Sequence, residues 1–141
     1  MGHDVEYSAT FSDDELMAIA KRENRILLTK DLELFQRCVS KRVEVFYVEG
    51  RDEAARLAEL AKRFMLPLAI DLELSRCPKC NTQIHPVAKE AIENKVEPKT
   101  YDRYNEFWQC PNCGQVYWQG GHWGKIRATL KMAEENLGKM N

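Results

Sequence analysis

The sequence predicts an α/β fold, in which a parallel sheet with covering helices is followed by a cysteine-rich ribbon and a closing helix. Candidate strands and helices alternate through about residue 65, an order typical of a parallel sheet with helices packed against it. From about Leu74 the composition changes, because prolines, paired cysteines and aromatic residues concentrate there. We therefore predict two domains, formed by residues 1–73 and 74–141.

Predicted strands and helices alternate along the first domain. Ser12 and Glu15 form a capping box that begins a helix, and Asn24 ends it. The apolar run at residues 26–28 is typical of a parallel strand buried on both faces. The amphipathic stretch at residues 52–65 predicts a helix. In full, we predict strands at residues 5–8, 26–28 and 43–48, and helices at residues 12–24, 32–39 and 52–65.

Two Cys-x-x-Cys pairs dominate the second domain, Cys77 with Cys80 and Cys110 with Cys113. Four thiolates on two tight turns are the ligand set of a tetrahedral zinc ion, and Gly114 suits the second bend. The long separation of the pairs fits a zinc ribbon that carries an insertion. We expect strands at residues 106–109 and 115–119 and a helix at residues 122–137.

There are two alternatives to a zinc site for the paired cysteines, which are a pair of disulfides and a redox-active Cys-x-x-Cys motif. The odd fifth cysteine, Cys38, and the lack of an apolar N-terminal run favour a reducing cytoplasm, where disulfides are rare. Redox chemistry does not need two matched pairs. A zinc hydrolase is disfavoured, because four cysteines leave no open coordination position for water. We expect Cys38 to be a core residue and the chain to have no membrane span.

Charge is distributed unevenly between the two predicted domains. Residues 1–73 carry 15 acidic and 11 basic side chains, whereas residues 74–141 carry 7 acidic and 10 basic ones. A basic half that carries a metal ribbon is compatible with nucleic acid as a partner. Ordinary solvated surface explains the same distribution.

Three aspartates lie where ligands bind in parallel sheets, outside the carboxyl ends of the strands. Asp31 directly follows the strand at residues 26–28, and Asp13 and Asp14 open the preceding helix. Helix capping explains Asp13 and Asp14 on physical grounds alone, and an N-cap role explains Asp31 equally well.

The residues from Asp13 to Ala20 and from Arg25 to Asp31 resemble the late acidic motif of PIN-like ribonuclease domains. The tail, Ser75 to Asn81 and then Glu106 to Trp123, resembles that of the Mut-seven C-terminal RNase family, in which a zinc ribbon follows a PIN-like fold. The resemblance implies a PIN-like domain at residues 1–73 and a zinc ribbon with a C-terminal helix at residues 74–141. It also implies endoribonuclease activity, with Asp13, Asp14 and Asp31 as catalytic residues and Asp13 and Asp31 as ligands of Mg²⁺ or Mn²⁺.

The chain departs from this family at its beginning. Members start with a strand that carries an acidic residue, followed by a helix rich in Arg and Leu, and neither is present in this chain. We expect either that Met1 is an internal methionine of a longer reading frame or that the chain is a truncated relative. The missing carboxylate puts activity in doubt, and the exposed sheet edge favours self-association. The alternative function is a non-catalytic zinc-ribbon module that binds RNA or protein.

Aromatic and basic side chains of the second half are candidate RNA contacts. Trp108, Trp118 and Trp123 can stack on unpaired bases, although residues of this kind more often pack around a small metal-bound core. The candidate phosphate contacts are Arg76, Lys79, Lys125, Arg127 and Lys131, for which solvated surface is the alternative. We expect His122 to have a structural role near the ribbon.

Overall fold

The computed structural model describes residues 1–140 of the chain. It contains helices α1 (Asp13–Arg22), α2 (Leu32–Ser40), α3 (Glu53–Phe64), α4 (Pro98–Arg103) and α5 (Trp123–Lys139). It contains strands β1 (Leu27–Thr29), β2 (Val45–Tyr47), β3 (His85–Val87), β4 (Phe107–Gln109) and β5 (Val116–Tyr117), and a 3₁₀ helix at Lys89–Ile92. The fold is therefore mixed α/β, as the sequence predicts.

Two compact units make up the structure. The α/β unit comprises residues 7–66 and the end of the chain from residue 133, and the cysteine-rich unit comprises residues 1–6 and 67–132. This spatial division falls at residues 66 and 67, whereas the sequence placed a boundary at residues 73 and 74. The domains predicted from sequence remain a prediction, because spatial clustering does not test whether a segment folds on its own.

The α/β unit is built on a parallel pair of strands, in which Leu27, Leu28 and Thr29 of β1 align with Val45, Phe46 and Tyr47 of β2. One core cluster joins α1, α2 and β1, and consists of Met17, Ala20, Leu27, Leu34, Cys38 and Val43. Phe46 of β2 instead packs edge-on against Phe64 of α3, with ring centroids 5.6 Å apart. Its neighbour Val45 packs against the first cluster, because successive residues of a strand point to opposite faces of the sheet. A PIN-like arrangement of this sheet remains a prediction.

Helix positions follow the capping signals closely. The Ser12 hydroxyl accepts from the Glu15 backbone N–H, and the Glu15 carboxylate accepts from the Ser12 N–H, so the capping box forms as predicted. The Asp52 carboxylate caps α3 by accepting from the Ala55 N–H at 2.8 Å. Cys38 is fully buried in the core, as expected, and burial raises the pKa of its thiol.

The strand predicted at residues 5–8 is wrong. These residues do not form a strand, and both Val5 and Tyr7 are largely exposed, so their alternation does not reflect a buried face. The backbone N–H of Val5 instead donates to the Asn81 side chain at 3.0 Å. This hydrogen bond to a side chain takes the place of the backbone pairing that a strand would have made.

The cysteine-rich unit contains an antiparallel sheet in the order β3-β4-β5. Strands β4 and β5 lie within the predicted ranges, whereas β3, the 3₁₀ helix and α4 were not predicted. None of the helices described in residues 1–140 combines the length and apolarity that crossing a bilayer requires.

Candidate metal centre

The two cysteine turns share one backbone geometry. In each turn the N–H four residues after the first cysteine donates to that cysteine's carbonyl, from Asn81 to Cys77 at 2.7 Å and from Gly114 to Cys110 at 3.0 Å. Each first cysteine also donates its own N–H to the carbonyl five residues ahead, at 2.8 Å and 3.0 Å. Asn81 and Gly114 have positive φ angles of 64° and 78°. Asn and Gly are the residues that adopt this conformation most readily, which explains their equivalent positions.

These turns bring the four cysteine sulfurs together. All four Sγ atoms lie within 4.8 Å of one another. Sγ of Cys77 is 3.6 Å from Sγ of Cys113, and Sγ of Cys80 is 3.3 Å from Sγ of Cys110. A disulfide requires about 2.05 Å, and all five cysteines are free. The structure therefore does not support the two disulfides that the sequence left open.

The arrangement fits a four-thiolate metal site. Zinc–sulfur bonds of about 2.3 Å in a tetrahedron place the sulfurs about 3.8 Å apart, close to the distances observed here. Among residues 1–140 this is the only group of three or more His, Cys, Asp or Glu side chains close enough to share a metal ion. The four predicted cysteines can thus hold a metal ion such as zinc, and His122 is not part of the group.

Hydrogen bonds around the sulfurs favour thiolates at two of the positions. Neighbouring hydroxyl and amide groups, first Thr82 and then Asn112, lower the pKa of Cys80 to about 5. Burial opposes ionisation of Cys77, but the Tyr117 hydroxyl at 2.9 Å and nearby backbone N–H groups lower the pKa of its thiol overall. A thiolate is the form that binds metal.

Cys113 behaves differently in the metal-free cluster. A backbone hydrogen bond at Gln115 favours its thiolate, but desolvation and the other three cysteines together raise the pKa of Cys113 to about 11. Several negative sulfurs at this separation repel one another, and a bound dication would remove that repulsion. Burial and the adjacent Cys77 likewise raise the pKa of Tyr117.

Residues 1–6 are tied to the first cysteine turn, a feature that the sequence did not reveal. The Arg76 guanidinium donates to the Gly2 carbonyl at 3.2 Å and to the Asn81 carbonyl at 2.7 Å. The Asn81 side chain in turn donates to the Asp4 carboxylate. Gly2 has a φ of 73°, and a Cβ atom there would collide with the carbonyl oxygen of Leu74. Arg76 thus acts as a structural clamp rather than a free phosphate contact.

The cysteine-rich unit has two apolar clusters, one beside the cysteines and one that contains none of them. The cluster without cysteines is formed by residues between the two cysteine pairs and by residues that follow the second pair. Ile92, Phe107 and Val116 are its buried residues, and the half-buried side chains of Val87, Val96, Tyr101, Tyr104 and Trp118 pack against them. Trp108 is buried in the other cluster, beside Cys77 and Cys110. Trp108 and Trp118 therefore serve the two cores, which is the structural role weighed above.

Asp13, which is half-buried, and Asp14, which is exposed, are paired with a cation from the next helix. Arg37 of α2 places one guanidinium nitrogen 2.5 Å from the Asp14 carboxylate and the other 3.6 Å from the Asp13 carboxylate. Asp31 is the N-cap of α2, and its carboxylate accepts from the N–H groups of Glu33 and Leu34 at 2.9 and 3.2 Å. The three aspartates are oxygen donors of the kind that magnesium prefers, but as arranged they do not form a three-carboxylate site.

A cleft of about 300 Å³ opens at the carboxyl ends of β1 and β2. Its lining is mainly apolar and also includes charged side chains; the residues are Leu28, Thr29, Lys30, Val48, Glu53, Arg56, Leu57 and Leu60. The cleft lies at the edge where a ligand was expected, but none of the three aspartates lines it.

Comparison of the chain with curated proteins gave no significant match, and comparison with solved structures gave none either. A protein-family model described as the Mut7-C RNAse domain matches residues 1–130. This match spans both units and includes all four paired cysteines, and it agrees with the resemblance inferred from the acidic and cysteine motifs. The chain therefore belongs to the Mut7-C RNase domain family.

Proposed function

We propose that this chain acts on RNA as a metal-dependent endoribonuclease whose fold is stabilised by zinc. The observation that carries the proposal is the family match over residues 1–130, since the family is described as an RNase domain. In this proposal the α/β unit is PIN-like and supplies the catalytic carboxylates, and the cysteine-rich unit is a zinc ribbon.

We assign zinc a structural role at Cys77, Cys80, Cys110 and Cys113. The proximity of the four sulfurs and the matched turns support this assignment. A site closed by four thiolates holds structure rather than activating water, so the proposed chemistry belongs elsewhere.

For cleavage we assign Asp13, Asp14 and Asp31 as the catalytic carboxylates, with Asp13 and Asp31 as ligands of Mg²⁺ or Mn²⁺. Such an ion supplies a polarised water and offsets charge on the phosphate. The contribution of the chain would be the oxygen ligands and their position beside β1. Because Arg37 pairs with Asp13 and Asp14, metal binding there requires this ion pair to open.

The test compares RNA cleavage by the parent protein with that by Asp31→Asn, using single-stranded RNA and Mn²⁺. Asn is as good an N-cap as Asp, so this change removes a charged ligand without removing the cap. The matched control is Asp52→Asn, which alters the N-cap carboxylate of α3 in the same way. We expect cleavage by the parent and by Asp52→Asn, and its loss in Asp31→Asn. Equal cleavage by all three proteins would eliminate the proposed active site.

A second variant probes the Arg37 contact. Arg37→Met keeps the apolar stem and removes the cation that pairs with Asp13 and Asp14. If these carboxylates bind metal, the variant should bind Mn²⁺ more tightly than the parent in calorimetry. Unchanged or weaker binding would argue against Asp13 and Asp14 as metal ligands.

The second candidate function is a non-catalytic module that binds RNA or a protein partner. The observation that favours it is that Arg37 and the α2 cap already occupy all three carboxylates. Retained RNA binding with no cleavage by the parent, in either Mg²⁺ or Mn²⁺, would establish this module instead.

We also propose that the protein works in the cytoplasm. The support is five cysteines, none of them in a disulfide. Free thiols persist where the compartment is reducing.

A further inference from the structure

The cysteine-rich unit contains a long stretch without negative charge. Residues 107–132 include no Asp or Glu, although the chain as a whole is slightly acidic. This stretch covers β4, the second cysteine turn, β5 and the first ten residues of α5. Its cations are Lys125, Arg127 and Lys131, all in α5 and all exposed.

Burial along α5 places these cations on one face. The half-buried residues Ile126, Thr129 and Leu130, together with the buried Ala133, form the inward face of the helix. The exposed arc consists of the three cations with Gly124, Ala128 and Met132 between them. Within residues 1–140 none of the three cations lies within ion-pair distance of a carboxylate, and the first acidic residues of the helix, Glu134 and Glu135, follow Lys131 in the next turn. Small side chains at Gly124 and Ala128 let an extended ligand approach the helix closely.

An aromatic ring lies at the rim of this face. Trp123 is half-buried, and Arg127 lies one helical turn further on, with its guanidinium carbon 5.8 Å from the ring centroid. The other candidate RNA contacts have structural roles. Trp108 and Trp118 pack in the two apolar clusters of this unit, and Arg76 holds residues 1–6 by donating to the Gly2 carbonyl. Lys79 donates to the Gln115 side chain at 2.7 Å. Structure thus reduces the candidate set to Trp123 and the three helix cations.

We propose that the exposed face of α5 formed by Trp123, Lys125, Arg127 and Lys131 binds single-stranded RNA, with the cations on phosphates and Trp123 stacked on a base. The inference rests on the proposed function in taking RNA as the ligand, but it does not depend on cleavage. Charge complementarity identifies the occupant, since a face that carries three cations and no acidic residue as far as Lys131, beside an aromatic ring, suits a polyanion with flat bases. The first turn of α5 likewise contains no acidic residue to repel a phosphate.

The test measures binding of a fluorescein-labelled single-stranded RNA by anisotropy over a range of salt, with Mg²⁺ and Mn²⁺ omitted so that cleavage does not interfere. The variant is Arg127→Gln with Lys131→Gln. The control is Lys95→Gln with Lys99→Gln, the same loss of charge at two exposed lysines among Glu93, Glu97 and Asp102. We expect the variant to bind RNA about tenfold more weakly than the parent at low salt. The slope of log K against log salt concentration should be smaller in magnitude by about 1.4, and the control should resemble the parent.

Stacking has a different signature from phosphate contact. Trp123→Leu should weaken binding about tenfold without changing the salt slope, whereas Trp123→Phe should remain close to the parent. Circular dichroism and zinc content establish that each variant is folded. Parent-like binding by the Gln variant, no RNA binding by the parent, or equal binding of polyglutamate would overturn the proposed surface.

The outcomes for the surface and for the enzyme are separable. Loss of RNA binding in the α5 variants, with no cleavage by the parent, supports the surface and removes the catalytic proposal. Cleavage that depends on Asp31, together with parent-like RNA binding by the α5 variants, supports the catalytic proposal and removes the proposed surface.

Discussion

At the scale of single residues, the clearest lesson comes from the position that follows each cysteine pair. Asn81 and Gly114 hold the same left-handed conformation and donate the same backbone bond. The sequence pointed to Gly114 but not to Asn81, because Asn adopts positive φ only in some contexts. Comparing the two turns in the structure reveals the equivalence.

This equivalence predicts the effect of substitutions at Gly114. A Cβ atom there would meet no atom within 4 Å, so any cost comes from backbone conformation alone. Gly114→Val should reduce the free energy of unfolding by roughly 1–2 kcal/mol, whereas Gly114→Asn should cost much less. Urea unfolding of the zinc-loaded proteins measures both values. Equal destabilisation by Val and Asn would contradict the conformational explanation.

Zinc binding should release fewer than four protons at pH 7. The pKa of Cys80, about 5, is well below its ordinary value of 9.0, so this thiol is already ionised at pH 7 in the metal-free protein and has no proton to release. As pH falls through about 5, Cys80 becomes protonated and the proton count should rise. Calorimetry in buffers of different ionisation enthalpy measures the count.

The matched variant for this prediction is Thr82→Val, which removes the largest cause of the lowered Cys80 pKa. The pKa of Cys80 should then rise toward its ordinary value, and more protons should be released per zinc at pH 7. The same proton count in the variant and the parent would show that Thr82 does not control this thiol.

At the scale of helices and strands, prediction succeeded where local chemistry decides the outcome. Ser12, Asp31 and Asp52 each begin a helix as N-caps, and the apolar runs became β1 and β2. It failed in residues 81–106, where β3 depends on pairing with β4 and the sequence shows no alternation. It also failed at residues 5–8, where an alternating pattern lies on the surface. Long-range pairing, rather than propensity, determines these segments.

The candidate site shows the same division. Each cysteine turn is encoded locally, and the matching of the two Cys-x-x-Cys pairs predicted that their four sulfurs would meet, as they do. The pairing of Arg37 with Asp13 and Asp14 was not foreseen, since it depends on how α1 and α2 pack together. Residues 23 positions apart in sequence leave no periodic signal that marks such a contact.

The cap of α2 can be separated from any metal role of Asp31. Asp31→Ala removes the acceptor of the Glu33 and Leu34 N–H groups and should cost about 1 kcal/mol of folding free energy, whereas Asp31→Asn should stay within a few tenths. Chemical denaturation measures both changes. If Asn destabilises as much as Ala, the carboxylate charge is needed for stability and Asp31→Asn no longer isolates the metal role.

At the scale of the whole molecule, the sheet of the α/β unit has a consequence for assembly. In the described residues β1 pairs only with β2, so its other edge is open. Leu28 at this edge is 47% exposed, and Leu32 just beyond it is 53% exposed. Open edges beside apolar side chains template pairing with other chains.

We therefore expect self-association at high protein concentration, seen by light scattering as a mass that rises with concentration. Leu28→Lys should reduce this rise, because a charge at an open edge opposes strand addition. The control is Val39→Lys, which places the same charge at an exposed apolar residue of α2. A constant monomer mass over the whole concentration range, or equal effects of the two variants, would exclude association through β1.

The separate apolar cluster of the cysteine-rich unit bears on how the protein would come apart. Ile92 is completely buried there with Phe107 and Val116, and the cluster contains no cysteine. When a chelator withdraws the metal, the thiolate turns lose their anchor, while this cluster keeps its own packing. Amide hydrogens near the turns should then exchange with solvent deuterium well before those around Ile92, so metal loss would loosen the molecule in stages rather than in a single cooperative event.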